Sequence, residues 1–292
     1  MRLGAYVLAG DPAWIEDSVG SYYDLVDHIV VAYDQDGLSW SGDPLPVDDA
    51  LARLRALDRD GKVIELPGRF SDPSRPTLEL DTAQRQAALE RAGVGVDWVL
   101  QLDTDEIVAS PERLLACLRR ADAVGADSLD YPLRFFYQRA GDQFLELSTR
   151  FWRSRAGYPG PVAVRPGARL RLCRQTRASV YRVDFRARNT DPWNHAEVRV
   201  DEVIPVTEGI VHMSWVRTRE QMLSKSAVSG HASERDWPAV LKEWDRAARR
   251  PWLMSAMSVF SRKRDRHIRL TSAPVPLHGR DWYEPHSGAE ER

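Results

Sequence analysis

The sequence predicts an α/β protein with a mostly parallel sheet that carries helices on both faces. Two observations predict it. Short apolar runs rich in β-branched residues alternate with helix-period segments along residues 1–140. The second observation is a change of pattern, because residues 141–272 mix short extended stretches with amphipathic segments. We therefore expect a regular α/β half (1–140), a mixed α+β second half of the same domain (141–272) and a loosely ordered tail (273–292).

In the first half, local signals set the ends of each element. Asp11 and Pro12 predict an N-cap and a first helical residue, as do Ser110 and Pro111, and Gly93 predicts a helix end. The predicted strands are residues 3–9, 28–34, 62–68, 97–103 and 128–138. The predicted helices are residues 11–27, 48–57, 82–93 and 110–125.

The second half gives weaker signals. Residues 157–167 are rich in Gly and Pro and predict a loop. We expect strands within 179–188 and 198–215, a helix over 218–230, and one or two helices over 236–263. Trp252 and Phe260 on the last segment could contact a membrane surface, or this segment could pack on the domain or on a second subunit.

Composition limits the class of function. The chain has 292 residues, 43% hydrophobic residues and a formal charge of −2, as an ordinary soluble protein has. There is no basic excess, so nucleic acid is not expected as a partner. The N-terminus is too quickly polar for a signal peptide and no apolar run approaches a membrane span, so we expect a cytoplasmic protein. Two isolated cysteines, Cys117 and Cys173, form neither a metal motif nor a disulfide framework.

The stretch "DWVLQLDTDEIV" (97–108) carries the strongest chemical signal. An apolar strand leads directly into Asp103, Asp105 and Glu106. Alternate residues of a strand share a face, so Asp103 and Asp105 can point the same way, and paired carboxylates suit Mg²⁺ or Mn²⁺. Asp34 ends another predicted strand and could reach the same crevice, because ligands bind at the carboxyl ends of parallel strands. The alternative is a capped turn before the helix at Ser110.

Three pieces of the first half, "AYVLAGDPAWIEDSVGSYYDLVDHIVVAYD", "TAQRQAAL" and "WVLQLDTDEIV", together resemble the GT-A nucleotide-sugar-dependent glycosyltransferases, especially family 2-like members. The resemblance implies a GT-A (Rossmann-like) fold whose first half binds a nucleotide sugar of the UDP or GDP type. It implies that Ala9, Asp34 and Arg85 lie at the nucleotide. It also implies that Asp103 lies near the ribose and metal, with a part in catalysis, and that Asp105 binds Mn²⁺ or Mg²⁺.

The segment "HMSWVRTREQMLSKSAVSGH" (212–231) resembles the family 17 N-acetylglucosaminyltransferases in its His-x-Ser-Trp pattern and in the lysine and histidine that follow. By that resemblance His212 is a second metal ligand and Lys225 lies near the diphosphate. Imidazole is a good Mn²⁺ ligand and an ammonium group binds phosphate as a point charge. A hydrogen-bonded histidine and a solvated lysine are the simpler alternatives.

An inverting transfer also needs a base for the acceptor hydroxyl. Asp191, in the polar stretch "NTDPWNHAE", is the candidate, with Glu197 and Glu106 as rivals. The Glu-Asp and Gln-x-x-Arg-Trp signatures of family 2 are absent, which leaves the base and the stereochemistry open. Tryptophans could stack on sugar rings; the candidates are Trp14, Trp40, Trp152, Trp193, Trp215 and Trp237.

The sequence thus predicts a metal-dependent hexosyl- or N-acetylhexosaminyltransferase whose acceptor is a small molecule, a glycan or a protein. A homodimer is left open. The first alternative is a non-catalytic module that binds a nucleotide or glycan. A haloacid dehalogenase-type phosphatase would need Thr or Val where Ile107 stands. A sugar-1-phosphate nucleotidyltransferase would need a Gly-rich, Arg-containing loop in place of "VLAGDPAW".

Overall fold

The structure is a computed structural model that describes residues 1–194, 198–228, 236–275 and 277. Its centre is a set of parallel strands in the order β4-β1-β2-β3. These are β1 (Leu3–Leu8), β2 (His28–Asp34), β3 (Val63–Gly68) and β4 (Trp98–Gln101). The predicted α/β class, with a mostly parallel sheet, is confirmed.

Helices cover both faces of this sheet. Ala5 and Val7 of β1 face a core shared with the helices at 15–22, 47–57 and 111–123, whereas Tyr6 faces a second core with Ala88 and Leu89 of the helix at 77–92. Alternate side chains of one buried strand therefore serve two cores, as expected for a parallel sheet. The helices are α1 (Ile15–Tyr22), α2 (Val47–Leu57), α3 (Thr77–Ala92), α4 (Pro111–Ala123), α5 (Arg219–Val228), α6 (Trp237–Arg249) and α7 (Pro251–Ser258).

The other strands extend the main sheet and build a second one. They are β5 (Glu106–Ile107), β6 (Ser128–Asp130), β7 (Leu133–Ala140), β8 (Gln143–Leu147), β9 (Ala163–Val164), β10 (Val180–Asp184), β11 (Glu202–Val203), β12 (Ile210–His212) and β13 (Ile268–Ser272). For the described residues, the main sheet runs β11-β10-β6-β9-β4-β1-β2-β3, with β9 antiparallel to its neighbours. The second sheet runs β13-β8-β7-β12-β5.

The predicted start of the first helix is wrong. α1 begins at Ile15 after Trp14, not after Asp11. Asp11 Oδ1 accepts a hydrogen bond from the Ala13 amide at 3.0 Å, so its side chain stabilises a turn two residues on instead of capping a helix. Asp11 Oδ2 accepts a hydrogen bond from Arg217 Nη2. Asp11 therefore belongs to the candidate functional site and not to a helix cap.

The prediction of a single strand over 128–138 is also wrong. The chain leaves β6 in the main sheet and enters β7 in the second sheet, with Tyr131 and Pro132 between them. Proline has no amide to continue a ladder, and the Pro132 carbonyl instead accepts from the Ile210 amide at the start of β12. This switch brings the two sheets together at the end of β4.

The remaining boundaries follow local chemistry. α3 begins at Thr77, five residues before the prediction, and ends at Ala92 with Gly93 as the C-cap, where the sequence predicts the stop. Ser110 caps α4 by accepting from the Arg113 amide, as predicted. The predicted segment 236–263 forms two helices because Pro251 ends the first one. In the described ranges, no helix is both long and apolar enough to cross a bilayer.

A buried ion pair fixes the turn after β4. Glu106 is 0% exposed and Arg174 2% exposed. The Arg174 guanidinium donates to both Glu106 oxygens, at 2.5 and 2.7 Å, and to the Gln101 carbonyl at 2.8 Å. A planar guanidinium matches a carboxylate in this two-bond geometry. The pair connects the end of β4 with the 171–176 turn, and it occupies both oxygens of a residue that the sequence offered as a catalytic base.

We predict that Glu106→Gln lowers the free energy of unfolding by about 3–5 kcal/mol, because it leaves the Arg174 charge buried without its counter-ion. Urea denaturation at pH 7 measures this loss. The matched control is Glu90→Gln, which removes the partner of the exposed Arg169 and should change stability by at most about 1 kcal/mol. Equal losses in the two variants would contradict the assigned role of the buried pair.

Candidate functional site

The candidate site begins in the turn between β4 and β5, which residues from the first helix and the preceding loop hold in place. Ser18 Oγ, on α1, contacts the carbonyls of Asp103 and Glu106 at 3.0 and 2.8 Å. Thr104 Oγ1 donates to the Asp11 carbonyl at 2.9 Å. Because Asp103 and Asp105 lie in a turn, the strand alternation assumed from the sequence does not apply, and the two carboxylates have separate partners.

Asp105 is the centre of a cluster of basic groups. Its side chain is 8% exposed. Arg217 Nη2 and Lys225 Nζ donate to Oδ2 at 2.9 and 3.2 Å, and His212 Nε2 lies 3.3 Å from Oδ1. The Asp105 carbonyl also accepts from the Met213 amide at 2.9 Å. The turn after β4 is thereby connected to β12 and α5, and the structure brings together three of the residues singled out in the sequence.

The charges around Asp105 hold it ionised. Burial acts to raise the pKa of Asp105, but the charge of Lys225, the contact with His212 and the charge of Arg217 outweigh it. The pKa therefore lies well below its usual value of 3.8. Asp11 adds a second carboxylate, with its Oδ2 2.7 Å from Arg217 Nη2 and 3.8 Å from Lys225 Nζ. Two acids thus hold two cations at the carboxyl end of the sheet.

Asp103 contacts a different cation. Arg85 Nη1, on α3, donates to Asp103 Oδ1 at 2.8 Å, and Arg85 Nε donates to Asp81 at 2.6 Å. Burial acts to raise the pKa of Asp103, but Arg85 and then Arg174 outweigh it, so the pKa is lowered. The Asp103 side chain is 34% exposed whereas that of Arg85 is 9% exposed. Asp103 can therefore contact a bound molecule while Arg85 fixes its orientation.

The donors available to a divalent cation are few. Arg217 and Lys225 occupy Asp105 Oδ2, which leaves Asp105 Oδ1 and His212 Nε2. No group of three or more His, Cys, Asp or Glu side chains in the described residues could hold a metal ion. Mg²⁺ is often held by one or two protein ligands together with substrate phosphates. The residues present therefore fit an ion shared with a phosphate ligand, and do not form a complete protein cage.

Two of the expected nucleotide residues are already used by the fold. Asp34 accepts four backbone amides, those of Asp36 and Leu38 on Oδ1 and those of Phe70 and Ser71 on Oδ2. These bonds order the loops that follow β2 and β3. Ala9 is buried, and its amide donates to the Ala32 carbonyl at 3.1 Å. A nucleotide contact of either residue stays a prediction.

Asp191 lies on a loop that borders the cluster. The Trp193 ring packs edge-on against Phe135 at 5.0 Å, and Phe135 packs edge-on against His212 at 4.5 Å. Asp191 Oδ1 accepts from the Trp193 amide at 2.9 Å. Burial raises the pKa of Asp191 although these bonds and Arg182 act to lower it. A raised pKa makes a carboxylate a stronger base, and the role of Asp191 as the general base stays a prediction. Its rival Glu197 lies outside the described residues, as does His231.

The tryptophans fall into two groups. Trp14 is buried, and its indole donates to the Val216 carbonyl, so it belongs to the core. Trp193, which is 49% exposed beside the site, could stack on a sugar ring, and Trp215 packs on Trp237 at 6.1 Å. Trp40 donates to Gln84 near Arg85, and Trp152 is 50% exposed, so neither is committed to the core.

The sequence did not indicate three residues of the site: Arg217, Asp11 as the partner of Arg217, and Phe135. Arg217 lies five residues after His212 but does not stand out in a chain where arginine is the main basic residue. Asp11 was explained as a helix cap. Phe135 carries no chemical signal at all, and its position between His212 and Trp193 depends on long-range packing.

Comparison with known proteins gives little further information. No protein-family model matches the chain, and neither does any curated protein. Among solved structures, 4-diphosphocytidyl-2C-methyl-D-erythritol synthase from Anaerococcus prevotii is similar over 56% of this chain and 70% of its own, at 13% identity and a TM-score of 0.32. CMP:2-keto-3-deoxy-manno-octonic acid synthetase complexed with CTP is similar over 47% of this chain and 53% of its own, at 16% identity and a TM-score of 0.27. Likenesses at this level assign neither a family nor an activity.

We predict that Asp105→Asn destabilises the protein in a pH-dependent way. A carboxyl group whose pKa is lower in the folded than in the unfolded protein stabilises the fold at any pH above its unfolded-state pKa. This stabilisation is lost as the pH falls through the folded-state pKa. The loss in unfolding free energy on mutation should therefore be about 3–5 kcal/mol near pH 7 and should shrink below pH 3.8. Urea denaturation in EDTA at a series of pH values measures it. The exposed Asp142→Asn serves as control, and a pH-independent difference for Asp105→Asn would contradict the assignment.

Proposed function

We propose that the protein is a glycosyltransferase that moves a sugar from a nucleoside diphosphate sugar to a hydroxyl acceptor, with inversion at the anomeric carbon. One observation carries the proposal. Asp105, at the carboxyl end of β4, holds Lys225 and Arg217 beside His212, while Asp103 stays partly exposed next to it. A diphosphate needs cations at the carboxyl edge of the sheet, and this cluster supplies them.

Lys225 would bind the diphosphate, and Arg217 would orient the acids beside it. Lys225 is 28% exposed and contacts Asp105 at 3.2 Å and Asp11 only at 3.8 Å, so its ammonium can turn towards a ligand. Arg217 is 1% exposed and donates to both acids, so it keeps the carboxylates oriented. Cations held in place before the reaction stabilise the charge that develops on the leaving diphosphate.

Asp103 would accept hydrogen bonds from the ribose hydroxyls, since Arg85 occupies only its Oδ1. Asp105 Oδ1 and His212 Nε2 would hold a divalent ion, Mn²⁺ or Mg²⁺, which when bound adds positive charge at the phosphates. The ion would be shared with the nucleotide because the protein offers it two donors. The nucleotide base, the sugar and the choice of metal stay predictions.

Asp191 would act as the general base. It takes the proton from the acceptor hydroxyl while the acceptor oxygen bonds to the anomeric carbon and the bond to the diphosphate oxygen breaks. The electron pair of that bond leaves with the diphosphate, next to Lys225. Burial of Asp191 raises its pKa, which favours proton transfer to it. A single displacement of this kind inverts the anomeric carbon, which is the outcome proposed here.

We predict that UDP or GDP binds the wild type in the presence of Mn²⁺ or Mg²⁺ and that Lys225→Gln weakens this binding about tenfold or more. The reason is the loss of a charged hydrogen bond to phosphate. Calorimetric titration with and without metal measures it. Lys242→Gln removes the same charge from an exposed position on α6 and should leave the affinity unchanged.

The outcomes separate the candidate functions. Nucleotide binding without any turnover, over a panel of donors and acceptors, would favour the non-catalytic binding module. If UDP, GDP, TDP and ADP all fail to bind with either metal, the transferase proposal is wrong.

We predict that Asp191→Asn lowers kcat about 10²- to 10⁴-fold, as the loss of a general base does, and leaves the affinity for the nucleotide unchanged. Wild-type kcat/KM should fall as pH drops through a pKa above the usual 3.8 of aspartate, and the variant should lack this dependence. Transfer kinetics over pH 4 to 8 measure both effects. A variant with wild-type kcat and an unchanged pH profile would exclude Asp191 as the base.

A further inference from the structure

Beside the proposed active site the structure has a large cavity with a basic lining. Its volume is about 1600 Å³, and Asp191 is on its wall. Among the described residues that line it, Asp191 is the only acid. The basic side chains include Arg153, Arg155, Arg186, Arg188, Arg262 and Arg264. A cavity with so many cations and a single acid has a strongly positive potential, which attracts anions.

Arg155, which lines this cavity, carries buried donor atoms without partners. Arg155 Nε and Nη1 are inaccessible to solvent and make no hydrogen bond. Buried polar groups in proteins are almost always paired, and an unpaired charged donor is costly. The cavity wall therefore contains a guanidinium group that the described protein residues leave incompletely hydrogen-bonded.

The electrostatic environment of Arg155 indicates the sign of that molecule. Burial, together with the charges of Arg264 and Arg186, lowers the pKa of Arg155, and among its main influences only Asp191 acts in the opposite direction. Like charges placed close together away from water repel each other unless an anion lies among them. This surplus of positive charge would be relieved by a ligand that carries negative charge.

Arginine is abundant in the chain, but abundance does not explain the cavity. The buried arginines elsewhere in the described residues have carboxylate partners within 2.9 Å. They are Arg85, Arg134, Arg174, Arg182 and Arg217. Arg155 and Arg186 have no ion pair within the described residues. Arg155 and Arg186 thus differ from the fully buried arginines, each of which has a carboxylate partner.

We propose that this arginine cavity binds a phosphate or diphosphate group carried by the acceptor, and so places the acceptor hydroxyl at Asp191. The inference rests on the proposed function for the role of Asp191. A guanidinium binds two oxygens of one phosphate, and several guanidinium groups around one cavity match an anion of more than one charge better than a single carboxylate. Phe151 and Phe260, which are 80% and 76% exposed, also line the cavity and would contact the adjoining part of the acceptor.

The probe is inorganic pyrophosphate, titrated calorimetrically into the full chain at low salt with UDP and metal in excess, so that the proposed donor site is filled. We expect wild type to bind it and Arg155→Gln/Arg186→Gln to bind it about tenfold more weakly or worse. The control is Arg169→Gln/Arg171→Gln, which removes the same charge from an exposed surface outside the cavity and should retain wild-type affinity. Equal affinity in both double variants, or no binding to wild type, would overturn the inference.

Stability provides a second readout that a structural role would not produce. Because Arg155 lacks a partner and is repelled by its neighbours, Arg155→Gln should keep or raise Tm in the absence of ligand. Pyrophosphate should raise the Tm of the wild type and not that of the double variant. A marked loss of Tm in Arg155→Gln without ligand would assign Arg155 to the fold and contradict the inference.

Two further experiments ask where the phosphate comes from and whether the anion site depends on the proposed donor site. Vesicles of phosphatidylglycerol, with phosphatidylcholine as control, test for a lipid phosphate: binding that the double variant loses indicates a lipid acceptor. Pyrophosphate binding without vesicle binding indicates a water-soluble phosphorylated acceptor. In Lys225→Gln without UDP, pyrophosphate binding should persist at the cavity. If no nucleotide binds wild type but pyrophosphate does, the proposed function fails and the anion site stands.

Discussion

The carboxylate of Asp105 is the interaction on which the arrangement of the site depends. It lies where β4 of the main sheet ends. Its partners come from β12 of the second sheet, from α5 and from the segment between them, as far as 120 residues along the chain. A carboxylate that is almost fully buried must have compensating charge, and Arg217 and Lys225 supply it. The same requirement that keeps this acid ionised therefore joins the two halves of the molecule and places cations at the edge of the sheet.

The site is connected to the main sheet where the chain passes from β6 of that sheet to β7 of the second sheet. Pro132 ends one ladder, and the next strand pairs with β12, so that Phe135 lies against His212 and Trp193. Gly157 permits this contact, because a Cβ there would lie 2.4 Å from the Phe135 ring and 2.6 Å from the Trp193 ring. The loop that carries Asp191 is thus held beside the cation cluster by ring packing. In the proposed reaction one side of this junction holds the leaving group and the other holds the acceptor.

The sequence was informative wherever local chemistry decides the outcome. The β-branched runs predicted β1 to β4 closely, and Ser110 predicted the start of α4, because burial and capping act over a few residues. It failed at Asp11, where a turn and a distant arginine compete with capping, and at residues 128–138, where tertiary pairing splits an apparently continuous strand. The short strands β9 and β11, of two residues each, have no local signal because long-range pairing alone defines them.

The chemistry of the site was predictable in part. A pattern of carboxylates after a strand indicated Asp103 and Asp105, and a resemblance added His212 and Lys225, which the structure brings to Asp105. Neither the carboxylate pattern nor the resemblance could identify Arg217 or the arginine cavity. Only the folded structure shows which of the many arginines have carboxylate partners and which do not. Asp34 illustrates the reverse case: its position at the end of β2 was foreseen, but its four backbone hydrogen bonds were not.

The central claim is that the cations around Asp105 form the diphosphate site of a nucleotide-sugar donor. A crystal structure of the protein grown with a nucleoside diphosphate and Mn²⁺ tests it most directly. We expect the diphosphate within hydrogen-bond reach of Lys225 Nζ, the ribose beside Asp103, and metal density between Asp105 and His212. A nucleotide bound elsewhere, with Lys225 still paired only to Asp105, would contradict it.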